Sequence, residues 1–177
     1  MDTEEIKKEK NFKYFFKEYG IYIIVIIAVL LIKEFLFTPI MVSGESMKNT
    51  LLDKDIMILN KISLNTEEIQ RFDIVVISYK DKYLIKRVIG LPGETVEVKD
   101  NKLYINGKYV KEDFLDEDTY TKDFKLNGKV PKGFYFVMGD NRGNSNDSRY
   151  LGCFSRDKIE GKTSLTIFPF SRFGNKE

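Results

Sequence analysis

The sequence predicts a mainly β chain: an antiparallel, partly closed β architecture preceded by one N-terminal transmembrane helix. Two observations carry that expectation. Residues 19–37 are almost continuously apolar, and beyond Pro39 short apolar runs alternate with polar, glycine- and asparagine-rich turns, with almost no helical periodicity. Six or more short strands with so little helix among them favour antiparallel pairing over a parallel sheet. A chain of 177 residues, 42% hydrophobic, can bury one core and a smaller attached subdomain.

The elements follow in chain order. Residues 1–18 hold five lysines and five acidic residues, and Ile21–Ile32 are twelve apolar residues in a row. A bilayer core needs about 20 helical residues. Counting from Tyr19 through Phe37 supplies 19 positions, interrupted by Lys33 and Glu34, whose charged heads can reach the interface. The rival reading is a buried helix of a soluble core, which the β-branched, all-round apolar pattern makes the weaker of the two. A cleaved leader would need small residues where Lys33-Glu34-Phe35-Leu36-Phe37 stand. The lysines before the helix put 1–18 on the cytoplasmic side, a bias weakened by Lys33 and Lys48. The expected layout is a cytoplasmic segment 1–18, a single span 19–37 in the cell membrane, and an extracytoplasmic β domain 38–177.

Within that domain Asp73–Tyr79 and Tyr83–Gly90 suit buried strands. Thr95–Val98 and Leu103–Ile105 read as a pair, with Asn106-Gly107 a tight turn into Tyr109-Val110. Phe134–Met138 is a further strand, and it feeds the polar loop Gly139–Arg149. Residues 111–130 are charged and weakly patterned, an excursion or flap between strands.

Composition excludes several functions. Twenty-nine basic against 27 acidic residues leave +2, so no basic field points to nucleic acid. With one cysteine and no histidine the chain cannot build a zinc shell or an internal disulfide, though carboxylates could hold a hard cation. No metal site and no cofactor is expected. Cys153 reads as a packed thiol beside a turn.

The missing histidine also shapes any hydrolytic chemistry. An attacking hydroxyl must give its proton to a neighbour, and lysine, carboxylate or an amino terminus remains. Ser46, in "SGESMKNTL" just past the apolar segment, and Lys86, in "YLIKRVIGLPG", are the candidates. Strand alternation sets Leu84, Lys86 and Val88 on one face, so the amine has apolar neighbours. Desolvation that brought its pKa from about 10.4 to near 8 would cost about 3 kcal/mol of folding energy. Taken singly, Ser46 also suits an ordinary turn, and Lys86 a lysine directing its head to solvent beside Arg87.

Taken together, four ordered stretches resemble the type I signal peptidases, membrane-bound serine proteases with a Ser-Lys dyad. They are "GESMKNTL" (Gly44–Leu51), "FDIV" (Phe72–Val75), "KRVIGLPG" (Lys86–Gly93) and "GDNRGNSNDSR" (Gly139–Arg149), which correspond to that family's four boxes. The short, disulfide-free chain is similar to the compact Gram-positive type. The resemblance implies that Ser46 attacks the scissile carbonyl and that Lys86 is the general base. It implies that Ser145 hydrogen-bonds the lysine amine, supported by an Asp147–Arg149 ion pair at alternate strand positions. It also implies a substrate: exported preproteins with signal peptides, cut after small residues in an A-x-A-like pattern, at the lipid bilayer and without nucleic acid. The peptide would lie as an added strand against Met41, Val42, Ser43, Leu84 and Ile85, with Met47 and Leu51 flooring the pocket nearest the cut.

Three positions depart from the pattern. Asn49 stands where proline is usual, which loosens the turn after Ser46. Gly44 stands where some members have a serine that helps hold the oxyanion, leaving the Ser46 backbone N–H as the main donor. No glycine precedes Asp73. Rival functions are weaker: "SRDK" (Ser155–Lys158) matches a penicillin-binding S-x-x-K without its companion motifs. A self-cleaving repressor should begin with a DNA-binding domain. A non-catalytic membrane-anchored β module remains the bland alternative.

Overall fold

A computed structural model of the chain describes residues 15, 17–29, 37–61 and 68–176. The described residues fall into two units, one ending at Phe37 and the other running Thr38–Glu177. In the first, 17–29 are helical, and apolar side chains on every side, among them Ile21, Tyr22, Ile24, Val25 and Ile26, are more than half exposed. No described helix is long and apolar enough to cross a membrane. The expected span 19–37 continues through 30–36, which lie outside the described residues.

The second unit is built from two sheets. Strands β1 (Phe37–Met41), β2 (Ile56–Asn60), β3 (Ile74–Tyr79), β4 (Lys82–Gly90), β5 (Val96–Lys99), β6 (Lys102–Ile105), β7 (Lys108–Val110), β8 (Phe124–Lys125), β9 (Phe134–Met138), β10 (Phe154–Ser155), β11 (Ile159–Phe168) and β12 (Gly174–Asn175) follow in chain order. The larger sheet runs β1-β2-β11-β3-β4-β9-β10, with β12 also on β11; the smaller runs β7-β6-β5-β8. From β2 onward the larger sheet pairs antiparallel, and the smaller does so throughout. Among the described residues both sheets are open paths, with β1 and β10 at the two ends of the larger one.

The expected strands are present within a residue or two at their ends. β3 is rich in β-branched residues, and Ile74–Ile77 are buried without alternation because both faces are packed: Val75 and Ile77 enter one apolar cluster and Ile74 another. Asn106 and Gly107 both take positive φ, the conformation a two-residue hairpin requires between β6 and β7. β11, the longest strand, had no counterpart in the sequence reading. Its residues "IEGKTSLTIF" are too polar for a buried apolar run, yet it lies between β2 and β3.

Ile89, Phe136 and Met138 of the larger sheet pack with Val96, Val98, Leu103 and Ile105 of the smaller, so one apolar cluster joins them. A second cluster holds Val75, Ile77, Val88 and Val137, and a third Val42, Met47, Leu51, Met57 and Ile74. The excursion after β7 returns to pair β8 with β5. Between them residues 111–123 form no strand.

Candidate active site

Ser46 opens a turn just beyond edge strand β1. Gly44 sits at φ +92°, a left-handed conformation that suits glycine, and its N–H donates to Asp53 Oδ1 at 2.8 Å. Lys48 N–H to Glu45 O (3.0 Å) and Leu51 N–H to Met47 O (2.8 Å) then tighten the chain into a turn with Ser46 at its head. The Ser46 carbonyl accepts from Asn141 N–H at 3.1 Å, and Asn141 Nδ2 donates to Glu45 O at 3.0 Å, which ties the turn to the loop after β9. Among the described residues the Ser46 N–H has no acceptor, so it is free to donate to an incoming oxygen.

Lys86 comes from the middle of β4, which runs between β3 and β9, and it is paired with Val75. It is 2% exposed. Its Nζ donates to Ser46 Oγ at 2.6 Å and to Ile85 O at 3.0 Å. Desolvation by burial lowers its pKa to about 8, against the opposing pull of the Asp147 and Asp140 carboxylates. At neutral pH roughly a tenth of the molecules then carry the free amine, whose lone pair can accept the serine proton.

The loop after β9 supplies the surroundings. Asp147 is fully buried and receives both arms of Arg149, Nε to Oδ1 at 2.9 Å and Nη2 to Oδ2 at 2.8 Å, together with Gly139 N–H at 3.0 Å. Burial raises its carboxyl pKa, but the hydrogen bonds from Arg149 and Gly139, the nearby Ser145 hydroxyl and the Arg149 charge outweigh this and hold it below the usual range. The ion pair expected from the spacing is present, but not on a strand: Asp147 caps the short helix Ser148–Leu151, and Arg149 lies inside it. The expected Ser145 bond to the lysine amine is not formed. Ser145 Oγ is buried near enough to Asp147 to influence it but makes no hydrogen bond of full geometry.

Gly139 explains how the loop comes so close. A Cβ there would overlap Ser145 Oγ and the Ser46 carbonyl oxygen. Only glycine leaves room for both.

A cleft of about 210 Å³ opens in front of Ser46 and Lys86. Met41, Val42, Ser43, Met47, Leu84 and Ile85 line it as expected, together with Ile40, Val76 and Tyr83. Leu51 does not. It is 0% exposed and packs into the cluster behind Met47, because the turn after Ser46 points it inward rather than toward the cleft.

Sequence reasoning missed a second group of charges. Arg87, given no role in the sequence reading, is 1% exposed and grips Asp140 through Nη2 to Oδ2 at 2.7 Å and Nε to Oδ1 at 3.0 Å. Thr50 Oγ1 donates to the same Asp140 Oδ2 at 2.6 Å, and Arg87 Nη1 donates to Phe72 O at 3.0 Å. Arg142, also buried, pairs with Glu112 and donates to Thr121 Oγ1 at 3.1 Å. The clue was present in the sequence: Arg87 lies in the apolar half of β4, beside Val88 and Ile89, where an unpaired charge would be too costly to keep. No cluster of metal-binding side chains occurs among the described residues.

Comparison with known proteins bears on this arrangement. Residues 16–168 match the family model described as "Signal peptidase, peptidase S26". "Signal peptidase I P" of Bacillus subtilis subsp. natto is 44% identical over 183 aligned positions, 97% of this chain and 97% of that protein. "Signal peptidase I T" of Bacillus subtilis (strain 168) is 43% identical over 182, covering 96% and 93%. The crystal structure of a signal peptidase I from Enterococcus faecalis V583 is similar with a TM-score of 0.50 at 41% identity, over 54% of this chain and 97% of that one.

Proposed function

This chain belongs to the signal peptidases of peptidase family S26 and is a type I signal peptidase, a serine protease, and from that membership we propose that Ser46 and Lys86 perform its hydrolysis at the membrane surface. The observation that carries the proposal is the 2.6 Å approach of Lys86 Nζ to Ser46 Oγ in a chain without histidine.

In the reactive form the Lys86 amine is neutral and accepts the Ser46 proton as Oγ adds to the scissile carbonyl. Negative charge then develops on the carbonyl oxygen, where the Ser46 N–H can meet it. Collapse of the tetrahedral intermediate breaks the C–N bond, and the Lys86 ammonium returns its proton to the leaving amine. Water, deprotonated by the same amine, hydrolyses the acyl-enzyme and restores Ser46. Ser145, Asp147 and Arg149 form the wall behind the amine, and the Arg149 charge offsets the pull of the Asp147 carboxylate toward the Lys86 ammonium.

Relatives named as signal peptidases support removal of signal peptides from preproteins as the reaction. The substrate is an extended peptide set beside Met41–Ser43 and Leu84–Ile85, and the narrow apolar cleft favours small side chains at the cut, in the A-x-A-like pattern. Residues 1–18 are cytoplasmic, 19–37 span the membrane once, and 38–177 lie on the extracytoplasmic side. The apolar surface exposed all round the helix at 17–29 suits lipid. Tethering enzyme and preprotein in one bilayer raises their effective concentration.

The deciding experiment incubates the full chain, solubilised in detergent, with a panel of preproteins and sequences the product N-termini. Cuts should follow small residues and vanish with Ser46→Ala; near wild-type cleavage by that variant would sink the assignment.

A further inference from the structure

Residues 112–116 leave the small sheet and lie against the loops of the large one, where alternate side chains make three contacts. Glu112 pairs with Arg142, whose side chain is fully buried in the loop after β9. Phe114 lies over the guanidinium of Arg87, 4.0 Å from its ring centre, and edge-on to Phe72 at 5.0 Å. Asp116 accepts a hydrogen bond from Asn49 Nδ2. Each contact falls on a different element of the site: the loop that receives the Ser46 carbonyl, the strand residue next to Lys86, and the turn headed by Ser46.

The far end of the segment is anchored separately. Asn101, in the turn between β5 and β6, donates to Thr119 O at 3.0 Å and accepts from Thr121 N–H at 2.7 Å. Asn49 itself sits at φ +86°, a conformation open to asparagine and glycine and closed to proline, whose ring fixes φ near −65°. The turn after Ser46 therefore lacks an internal lock at this position. A side-chain bond to a residue 67 positions away supplies one.

We infer that residues 112–116 are a strap that positions the dyad, and that the Asn49–Asp116 hydrogen bond is its hold on the turn carrying Ser46, an inference that rests on Ser46 being the nucleophile. Thr50, the next residue, is bound to Asp140 and through it to Arg87. The strap and the Asp140 pair thus grip the same end of the turn from two sides. Asn49 and Asp116 are both exposed, so their bond adds little to folding, and its effect falls on where Ser46 Oγ sits relative to Lys86 Nζ.

The test measures kcat and KM for preprotein cleavage by the detergent-solubilised full chain. Asn49→Gly keeps the backbone freedom and removes the amide; kcat should fall about tenfold, with KM within about twofold and the melting temperature nearly unchanged. Asn49→Asp sets two carboxylates face to face and should lose more. Combining Asn49→Asp with Asp116→Asn reverses donor and acceptor and should recover most of the rate. Wild-type kcat in Asn49→Gly, a loss explained by a lowered melting temperature, or no recovery in the reversed pair would each overturn the strap. Ser46→Ala run alongside tests the premise separately: cleavage by that variant overturns the nucleophile whatever the Asn49 variants do.

Discussion

Replacing Lys86 with methionine should abolish cleavage yet leave the protein at least as stable at neutral pH. With the pKa lowered from 10.5 to about 8 by burial, the ammonium is disfavoured in the fold by about 3 kcal/mol. The unfolded chain holds the proton over a range where the folded one has released it. The penalty on folding is therefore complete below about pH 8, shrinks between about pH 8 and 10.5, and is absent above. Methionine has a similar unbranched stem and no charge, so it removes this penalty; the Ser46 hydroxyl and Ile85 carbonyl lose a donor, at about 1 kcal/mol each or less. The variant should thus be more stable by about 1–3 kcal/mol at pH 7, and its advantage should fall by about 2–3 kcal/mol by pH 10. Urea unfolding of both proteins at the two pH values reads this directly, and the wild-type rate of cleavage should rise with an apparent pKa of about 8. A Lys86→Met protein that unfolds far more easily at pH 7, with no pH-dependent difference from wild type, would show that the lysine is a structural ion-pair partner.

Much of this site was legible because its chemistry is carried by short, contiguous stretches. Lys86 stood out as a charge within an apolar strand, and Ser46 was left without histidine as a base. The cleft lining at Met41–Ser43 and Leu84–Ile85 came from the resemblance to the type I signal peptidases, since alternation alone sets consecutive residues on opposite faces. What escaped depends on contacts remote in sequence. β11 is strand through pairing with β2 and β3 rather than through its own pattern, since two of its polar side chains find partners only in the fold: Thr163 Oγ1 donates to Ile58 O at 3.0 Å, and Lys162 pairs with Asp73. Leu51 was misplaced because a turn, unlike a strand, gives no alternation to tell inward from outward. The Asp147–Arg149 spacing fits a strand and a capped helical turn equally well, and the hydrogen bond from Arg149 N–H to Asp147 Oδ1 at 3.2 Å belongs to the latter. Arg87–Asp140 and Arg142–Glu112 join residues 53 and 30 positions apart, which no local pattern reveals.

Two further substitutions probe the loop after β9, and they should separate support from geometry. Asp147→Ala leaves Arg149 buried without its carboxylate and should cost about 3–5 kcal/mol, seen as a lower melting temperature; in the wild type this contribution is present above the ordinary carboxyl pKa and is lost as pH falls through the depressed value. An unchanged melt would refute the structural role of the pair. Gly139→Ala acts differently, since the added methyl meets the Ser46 carbonyl oxygen and Ser145 Oγ at once. Ser145 can rotate away, but the Ser46 carbonyl is backbone, already held by Asn141 N–H at 3.1 Å. Relief must therefore come from moving the turn, and with it Ser46 Oγ relative to Lys86. A shift of about 1 Å in a reacting atom can cost about a hundredfold in rate, so kcat should fall by about that factor while KM, which the proposed peptide contacts at Met41–Ser43 and Leu84–Ile85 would govern, changes little. Wild-type kcat in Gly139→Ala would mean that the turn can yield without moving the nucleophile, and the tight docking of this loop on Ser46 would then have no bearing on catalysis.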